Sequence, residues 1–283
     1  MSANPASPAA QPASTIGPTA AAAAATPDAP PVLAERDGGV LTLTMNRPAQ
    51  FNALSSEMMC ALQSALESAA ADPAVRVVVL GAAGKAFCAG HDLREMRATP
   101  GLDFYRELFA QCSRMMIAIQ RMPQPVIARV HGIATAAGCQ LVAMCDLAVA
   151  VEGARFAVSG VNLGLFCSTP SVALSRNLGR KQAFEMLVTG DFIDAQAALD
   201  KGLVNAVVPA EGLDAEVARL AASICAKPAA AIAAGKGLFY RQLEMGIEAA
   251  YQLAGQTMAC NMMDESALEG VQAFIEKRAP SWK

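Results

Sequence analysis

Short apolar runs alternate with longer segments of helical periodicity along most of the chain. Runs rich in β-branched residues and bounded by turn residues predict strands at residues 39–45, 75–80, 125–130, 147–151 and 204–208. Between the first two strands, Ser55 or Ser56 is positioned to cap a helix with apolar residues at Met59, Leu62, Leu66 and Ala69. Because strands alternate with helices, the pattern favours right-handed βαβ or ββα crossovers over a sandwich.

Helical periodicity dominates the chain after Thr169. The predicted helices span residues 170–178, 180–189, 195–201, 213–226, 228–243 and 246–278. Only the strand at 204–208 falls among them. We therefore predict an α/β protein in which a core containing the sheet is followed by a helical C-terminal region.

The N-terminal segment has a different composition from the rest of the chain. It consists mainly of Ala, Pro, Ser and Thr, with no Lys or Arg before Arg36. Such a segment cannot bury enough apolar surface to fold, and it lacks the basic start of a signal or transit peptide. We expect residues 1–31 to form a disordered tail. No later stretch has the ~20 uninterrupted apolar residues of a membrane span, so no membrane association is expected.

Composition and charge narrow the class of protein. Hydrophobic residues make up 54% of the chain and charged residues 17%, which suits a soluble globular protein with a large core. The formal net charge of −3 offers no basic surface for nucleic acid. None of the eight cysteines forms a CxxC pair, so we interpret them as buried hydrophobes and expect no metal. The default compartment is the reducing cytoplasm.

Two segments of small residues carry the candidate chemistry. Residues 86–93 read AFCAGHDL, and residues 130–141 lead from a predicted strand through VHGIATAAGCQL into an apolar helix. Small side chains let backbone N–H groups approach a ligand closely, and a helix N-terminus adds the positive end of a dipole. The two segments predict an oxyanion hole made of backbone amides.

At these residues the chain resembles the crotonase superfamily, whose best-known member is enoyl-CoA hydratase. The resemblance extends from about Val32 to the C-terminus. It implies a spiral of stacked ββα repeats over residues 32–210 and a helical region over 211–283 that mediates trimer formation. A homotrimer or a dimer of trimers is therefore expected. Residues 136–143 and 161–170 together look like the enoyl-CoA hydratase domain-containing protein 3 branch of this superfamily.

The resemblance assigns roles to several residues. The N–H groups of His91 and Ala137 would hold the thioester carbonyl oxygen of an acyl-CoA, which enters as substrate and not as a bound cofactor. The His91 imidazole would face the acyl pocket or solvent. The further residues expected to contact CoA are Ala49, Gln50, Phe51, Ala53, Ala89, Asp92, Leu93, Lys277 and Arg278. Lys277 and Arg278 are equally interpreted as charges that offset a helix dipole.

The two glutamates that hold the water in hydratases are absent. Their positions fall on Gln140 and Gly160. Glutamine can position a water but cannot accept its proton near neutral pH, and glycine has no side chain. Cys167, Ser168 or His91 could approach the acyl group instead, and Ser168 is also interpreted as the cap of the helix that follows Pro170.

These residues leave several functions open. An enoyl-CoA hydratase of fatty acid metabolism, in which Gln140 or Ser168 orients the water, is one. A non-catalytic acyl-CoA binding or regulatory oligomer is another, and an acyl-CoA isomerase or thioester hydrolase is a third. A serine hydrolase is disfavoured, because the chain has only two histidines and no GxSxG motif.

Overall fold

The computed structural model describes residues 29–282. Up to residue 28, the tail predicted for residues 1–31 lies outside the described residues. The strands are β1 (Val32–Asp37), β2 (Val40–Met45), β3 (Val77–Ala82), β4 (Ala86–Cys88), β5 (Val126–Val130), β6 (Ile133–Thr135), β7 (Leu147–Val151), β8 (Arg155–Ala157), β9 (Ile193–Asp194) and β10 (Ala206–Val208). The helices are α1 (Ser56–Ala71), α2 (Leu93–Ala98), α3 (Leu102–Arg121), α4 (Ala137–Met144), α5 (Ser168–Asn177), α6 (Arg180–Thr189), α7 (Ala195–Asp200), α8 (Leu213–Cys225), α9 (Ala229–Gln242), α10 (Ile247–Asn261) and α11 (Glu265–Glu276).

The strands form two sheets. The larger has the order β1-β2-β3-β5-β7-β10, and all its pairs are parallel except β1 with β2. The smaller has the order β4-β6-β8-β9. From β3 to β8, successive strands of the chain therefore alternate between the larger and the smaller sheet. The predicted mixed α/β fold with a helical C-terminal region is confirmed.

The first crossover helix shows how the pattern produces the core. Ser55 caps α1 by accepting a hydrogen bond from the Met58 N–H. The face of α1 that carries Met59, Leu62 and Leu66 is buried in the main hydrophobic core, as expected. Every residue of β3 is also buried, which is typical of a parallel strand covered by helices on both faces.

One predicted helix is wrong in its extent. Residues 246–278 do not form a single helix, because α10 ends at Asn261 and α11 begins at Glu265. The Asp264 side chain accepts a hydrogen bond from the Ser266 N–H. An Asp that bonds to its own local backbone competes with helix continuation and starts a new helix instead.

A buried ion pair attaches α9 to the sheet core. The Lys236 ammonium group lies 2.7 Å from Asp146 Oδ2, and it also donates to the carbonyls of Ile119 and Gln124. The Tyr240 hydroxyl donates to Asp146 Oδ1 at 2.7 Å. Asp146 is therefore a structural acid that joins the C-terminal helices to β5 and β7.

Within residues 29–282, no single helix is both long and apolar enough to cross a membrane. One pair of helical segments, Ala210–Cys225 and Ala229–Gln242, meets the requirement together by length and composition only. The two segments are bent by 104° relative to each other.

Candidate functional site

The two segments of small residues lie side by side. Strand β4 pairs with β6, and the Thr135 hydroxyl donates a 3.0 Å hydrogen bond to the Ala89 carbonyl. Two glycines make this contact possible. A Cβ atom on Gly138 would overlap the Cys88 carbonyl, and Gly90 has a φ of +90°, which side chains rarely adopt.

Within residues 29–282, the local geometry leaves the His91 and Ala137 amides without a hydrogen-bond partner. Leu54 donates to the Gly90 carbonyl at 2.8 Å and accepts from the Asp92 N–H at 3.3 Å, so the His91 N–H points away from Leu54. Ala137 is the first residue of α4, where a helix leaves its N–H groups unbonded. A Cβ on Gly90 would lie 3.2 Å from the Ala137 nitrogen, which shows how closely the two backbones approach.

Both of these residues line one cavity of about 870 Å³. It lies between the turn after β2, the start of α2, the N-terminus of α4 and the segment before α5. The sequence-predicted site residues that line it are Ala49, Gln50, Phe51, Ala53, Ala89, His91, Asp92, Leu93, Ala137, Gly160 and Ser168. The structure thus brings most of the candidates together, and their roles stay predictions.

Three candidates are placed elsewhere. Gln140 is buried on α4, its Oε1 has no hydrogen-bond partner within residues 29–282, and it is not among the described residues that line the cavity. Lys277 follows α11 in a left-handed conformation, with φ of +56°. The Arg278 guanidinium pairs with Glu269 and Glu276 at the end of α11, so in this single chain neither cation faces the cavity.

The His91 imidazole is a neutral group at the cavity wall. Its ring packs edge-on against Phe109, with the ring centroids 5.3 Å apart. Burial lowers the pKa of His91 from 6.5 to about 4, and the nearby Glu95 opposes this only in part. Its Nε2 is buried and has no partner among the described residues. Near neutral pH the ring therefore contributes a dipole and no charge.

The Asp92 carboxylate has a structural role. It caps α2 by accepting hydrogen bonds from the N–H groups of Arg94 and Glu95, at 2.8 and 3.2 Å. The carboxylate is therefore occupied by the backbone of α2.

The expected capping role of Ser168 is wrong in detail. Helix α5 begins at Ser168 itself and not after Pro170, and the residue before it, Cys167, makes no side-chain cap. The Ser168 hydroxyl donates to the Phe166 carbonyl at 3.3 Å, which satisfies it locally. The structure shows no hydrogen bond between Ser168 and either described histidine, so nothing in residues 29–282 activates it as a nucleophile.

Gly160 is covered by the turn that follows it in the chain, at Leu165 and Cys167. Its N–H donates to the Cys167 sulfur at 3.3 Å, and its carbonyl accepts from the Leu165 N–H at 2.9 Å. A Cβ on Gly160 would lie 2.7 Å from both the Cys167 sulfur and the Leu165 carbonyl oxygen. The segment from Leu165 to Cys167 therefore occupies the direction that an acidic side chain at Gly160 would take.

Several lining residues were missed by the sequence analysis. Arg94 follows directly after the first small-residue segment and is exposed at the cavity. Met96 lies on the same helix, and Phe109 comes from α3. The amphipathic periodicity of residues 102–121 is the signal that could have located Phe109.

Comparison with known proteins identifies the family. The model of the enoyl-CoA hydratase/isomerase family matches residues 35–283. The chain therefore belongs to the enoyl-CoA hydratase/isomerase family, which confirms the resemblance to the crotonase superfamily.

Individual relatives narrow the branch. The chain is 46% identical over 253 residues to the enoyl-CoA hydratase domain-containing protein 3, mitochondrial, of Xenopus laevis, covering 89% of this chain and 86% of the relative. A solved enoyl-CoA hydratase from Mycobacterium smegmatis is 65% identical, with a TM-score of 0.89, covering 90% of this chain and 99% of that one. The human enoyl Coenzyme A hydratase domain-containing protein 3 is 44% identical, with a TM-score of 0.86, covering 89% and 100%. The expected branch is confirmed, and so is the crotonase-like fold.

The expected cytoplasmic location is contradicted by this comparison. The frog, mouse and human relatives all carry the word mitochondrial in their names. The expectation rested on cysteines without disulfide or metal patterns, and all eight are indeed free. Free thiols indicate a reducing environment but do not identify the compartment.

Proposed function

We propose that this chain binds acyl-CoA thioesters, with the thioester carbonyl oxygen between the N–H groups of His91 and Ala137. The observation that supports this most strongly is that two amides, which have no hydrogen-bond partner among the described residues, both lie at one cavity. Each donor comes from a different segment, and the two glycines Gly90 and Gly138 permit their approach. Donors fixed before the ligand arrives need no reorganisation when charge develops on the oxygen.

The cavity around the two amides favours their interaction with an oxyanion. The cavity that holds the amides is largely apolar, and Phe109, Met96 and the segment before α5 contribute to its lining. The positive end of α4 points into the same cavity. In a low-dielectric cavity, two such donors are worth several kcal/mol to a developing oxyanion.

Cations for the CoA phosphates are sparse in this site. The lysine that is common in the family at the position of Ala49 is absent, and Arg94 is the exposed cation that lines the cavity within the described chain. We assign Arg94 a phosphate contact. Lys277 and Arg278 would contribute from a neighbouring subunit in the proposed homotrimer or dimer of trimers, with CoA entering only as part of the substrate.

The residues of this site support polarisation of the thioester carbonyl, but they do not supply the proton transfer that hydration needs. Hydration of a 2-enoyl-CoA needs a group that takes a proton from water, and neither Gln140 nor Gly160 supplies one. General acid or base catalysis contributes about 10²- to 10⁴-fold per group, so we propose weak hydratase activity at most. Thioester hydrolysis through Ser168 is not favoured, because that hydroxyl bonds to the Phe166 carbonyl.

The test uses acetoacetyl-CoA, whose enolate absorbs in the near ultraviolet and reports stabilisation of an oxyanion. We expect binding by calorimetry, together with an increase in the enolate absorbance of bound ligand. Gly90→Ala should weaken both by about tenfold or more, because the added Cβ crowds Thr135, Ala136 and Ala137. Gly101→Ala is the matched control, since nothing lies within 4 Å of a Cβ there.

Unfolding by urea establishes that the Gly90 variant is folded at the temperature of the assay. Wild-type protein that binds no acyl-CoA would refute the proposal. Binding without any increase in enolate absorbance would refute the role of the two amides, and equal losses in the two glycine variants would do the same.

A further inference from the structure

Three apolar side chains that line the cavity are about half exposed or more. Leu163, Leu165 and Phe166 are 63%, 53% and 49% exposed, and all three line the cavity. They belong to one short segment between β8 and α5. Large apolar side chains that line a cavity and remain half exposed mark a surface that a ligand or a partner covers.

The segment is held in place by its own backbone. The Gly164 N–H donates to the Val161 carbonyl at 3.1 Å, and the Leu165 N–H donates to the Gly160 carbonyl. Gly164 has a φ of +76°, which lets the chain turn sharply there. At the other end, the Cys167 sulfur accepts the Gly160 N–H. The exposed side chains are thus presented by an ordered turn.

Two further apolar side chains line the same cavity. Phe109 and Met96 come from α3 and α2, and both are only partly buried. The cavity that contains His91 and Ala137 is therefore lined by hydrocarbon and aromatic groups from several elements. An acyl chain that extends along this cavity would remove these side chains from water, whereas a short acyl group would leave part of them exposed.

We propose that the acyl-CoA ligands of this chain carry long hydrocarbon chains, and that the segment Leu163–Phe166 covers the part of the chain farthest from the thioester. This inference rests on the proposed acyl-CoA function and specifies its substrate class. The alternative is that a second copy of this chain covers the segment, and the experiment distinguishes this from an acyl chain.

The experiment measures dissociation constants of butanoyl-, octanoyl-, dodecanoyl- and hexadecanoyl-CoA by displacement calorimetry, each below its micelle concentration. Burial of a methylene group corresponds to a dissociation constant about fourfold lower, or about twofold lower at half burial. We expect the dissociation constant to decrease by about twofold to fourfold for each added methylene, from butanoyl-CoA to dodecanoyl-CoA.

Phe166→Ser should flatten this dependence, because it should weaken dodecanoyl-CoA binding more than butanoyl-CoA binding. Phe184→Ser is the matched control, because Phe184 is 59% exposed on α6 and does not line the cavity. The control should keep the wild-type dependence on chain length. Sedimentation velocity reports the oligomeric state of both variants.

The outcomes separate the two proposals. Failure of every acyl-CoA to bind would refute the acyl-CoA function itself. Butanoyl-CoA binding as tightly as the longer ligands would overturn the chain-length inference and leave the function intact. Dissociation of an oligomer by Phe166→Ser with an unchanged chain-length dependence would assign the segment to a second copy and also overturn it.

Discussion

Two buried polar regions of this chain differ in how their groups are partnered. Around Asp146, the carboxylate accepts from Lys236, Tyr240 and the Val126 N–H, each at 2.7 Å. At the cavity and the adjacent α4, the side chains of His91 and Gln140 make no hydrogen bond within residues 29–282. The polar groups of both regions are largely buried. The number of partners is what separates a group that stabilises the fold from one that is available to a ligand.

Removing one member of the Asp146 cluster should have the largest effect. Lys236→Met keeps the length of the side chain but leaves a buried carboxylate without its cation, along with two carbonyls without their donor. Breaking a buried ion pair in this way costs about 3–5 kcal/mol. Urea denaturation monitored by circular dichroism should show that loss in the free energy of unfolding.

The matched control is Arg36→Met, which breaks the pair with Asp72. Both of those side chains are about half exposed, at 50% and 42%. Exposed pairs contribute about 0.2–1 kcal/mol, so this variant should remain close to wild type. If Lys236→Met and Arg36→Met reduced the free energy of unfolding by similar amounts, the number of hydrogen-bond partners would not explain which polar groups stabilise the fold.

The unpartnered histidine should make stability depend on pH. Burial holds the pKa of His91 at about 4 in the folded protein, compared with 6.5 in the unfolded chain. Between those values the unfolded state binds the proton more readily, so stability falls as the pH drops from about 6.5 to about 4. The full shift corresponds to about 3 kcal/mol. His91→Phe should reduce this dependence in urea denaturation series at several pH values.

His131 is the control for the effect of His91 on the pH dependence of stability. Burial also lowers the pKa of His131, but the hydrogen bond from its Nε2 to the Gly84 carbonyl opposes the effect. His131→Phe should therefore remove a smaller part of the dependence on pH. A His91→Phe series that kept the wild-type slope would show that its ring is solvated in the folded state.

Much of the fold followed from periodicity. The predicted strand at 147–151 matches β7, and the predicted helix at 180–189 matches α6, because long or strongly patterned segments constrain their own conformation. The short strands β4, β6 and β8 were missed. Each has three residues, too few to show an alternation, and each forms only through pairing with a distant neighbour.

The candidate site was predictable where backbone chemistry determines it. Gly90 and Gly138 mark the crossing of the two segments, and a glycine requirement is visible in the sequence. The turn that covers Gly160 was not predictable, since it depends on contacts from Leu165 and Cys167 that only the folded chain shows. An acidic side chain introduced at Gly160 would therefore have to displace this turn.

A variant with glutamates at both Gln140 and Gly160 tests whether the turn can adapt to an acidic side chain. Gln140→Glu with Gly160→Glu should give no more than about a tenfold gain in crotonyl-CoA hydration, a fraction of the 10²- to 10⁴-fold that a placed base supplies. The reason is that a side chain on Gly160 displaces the turn at Leu165 and Cys167, with a stability cost of about 1–3 kcal/mol. Hydration is followed by the loss of enoyl thioester absorbance.

Gly153→Glu is the control for adding an acid at a glycine, because nothing lies within 4 Å of a Cβ at that position. It should retain the wild-type stability. A double variant with full stability and a hydration rate raised by several orders of magnitude would show that the turn adapts freely, and that the site lacks only its acids.

The smallest expected effect comes from the exposed cation that lines the cavity. Arg94 and Arg97 are both exposed on α2, but of these two only Arg94 lines the cavity. An exposed charge contact contributes about 0.2–1 kcal/mol, so Arg94→Ala should weaken acyl-CoA binding by about 1.4- to 5-fold, while Arg97→Ala leaves it unchanged. The difference between the variants should shrink as salt is added, since screening weakens an exposed phosphate contact. Equal losses in both variants would mean that the charge of the whole helix acts on the ligand, and a loss independent of salt would assign Arg94 a packing role through its aliphatic stem.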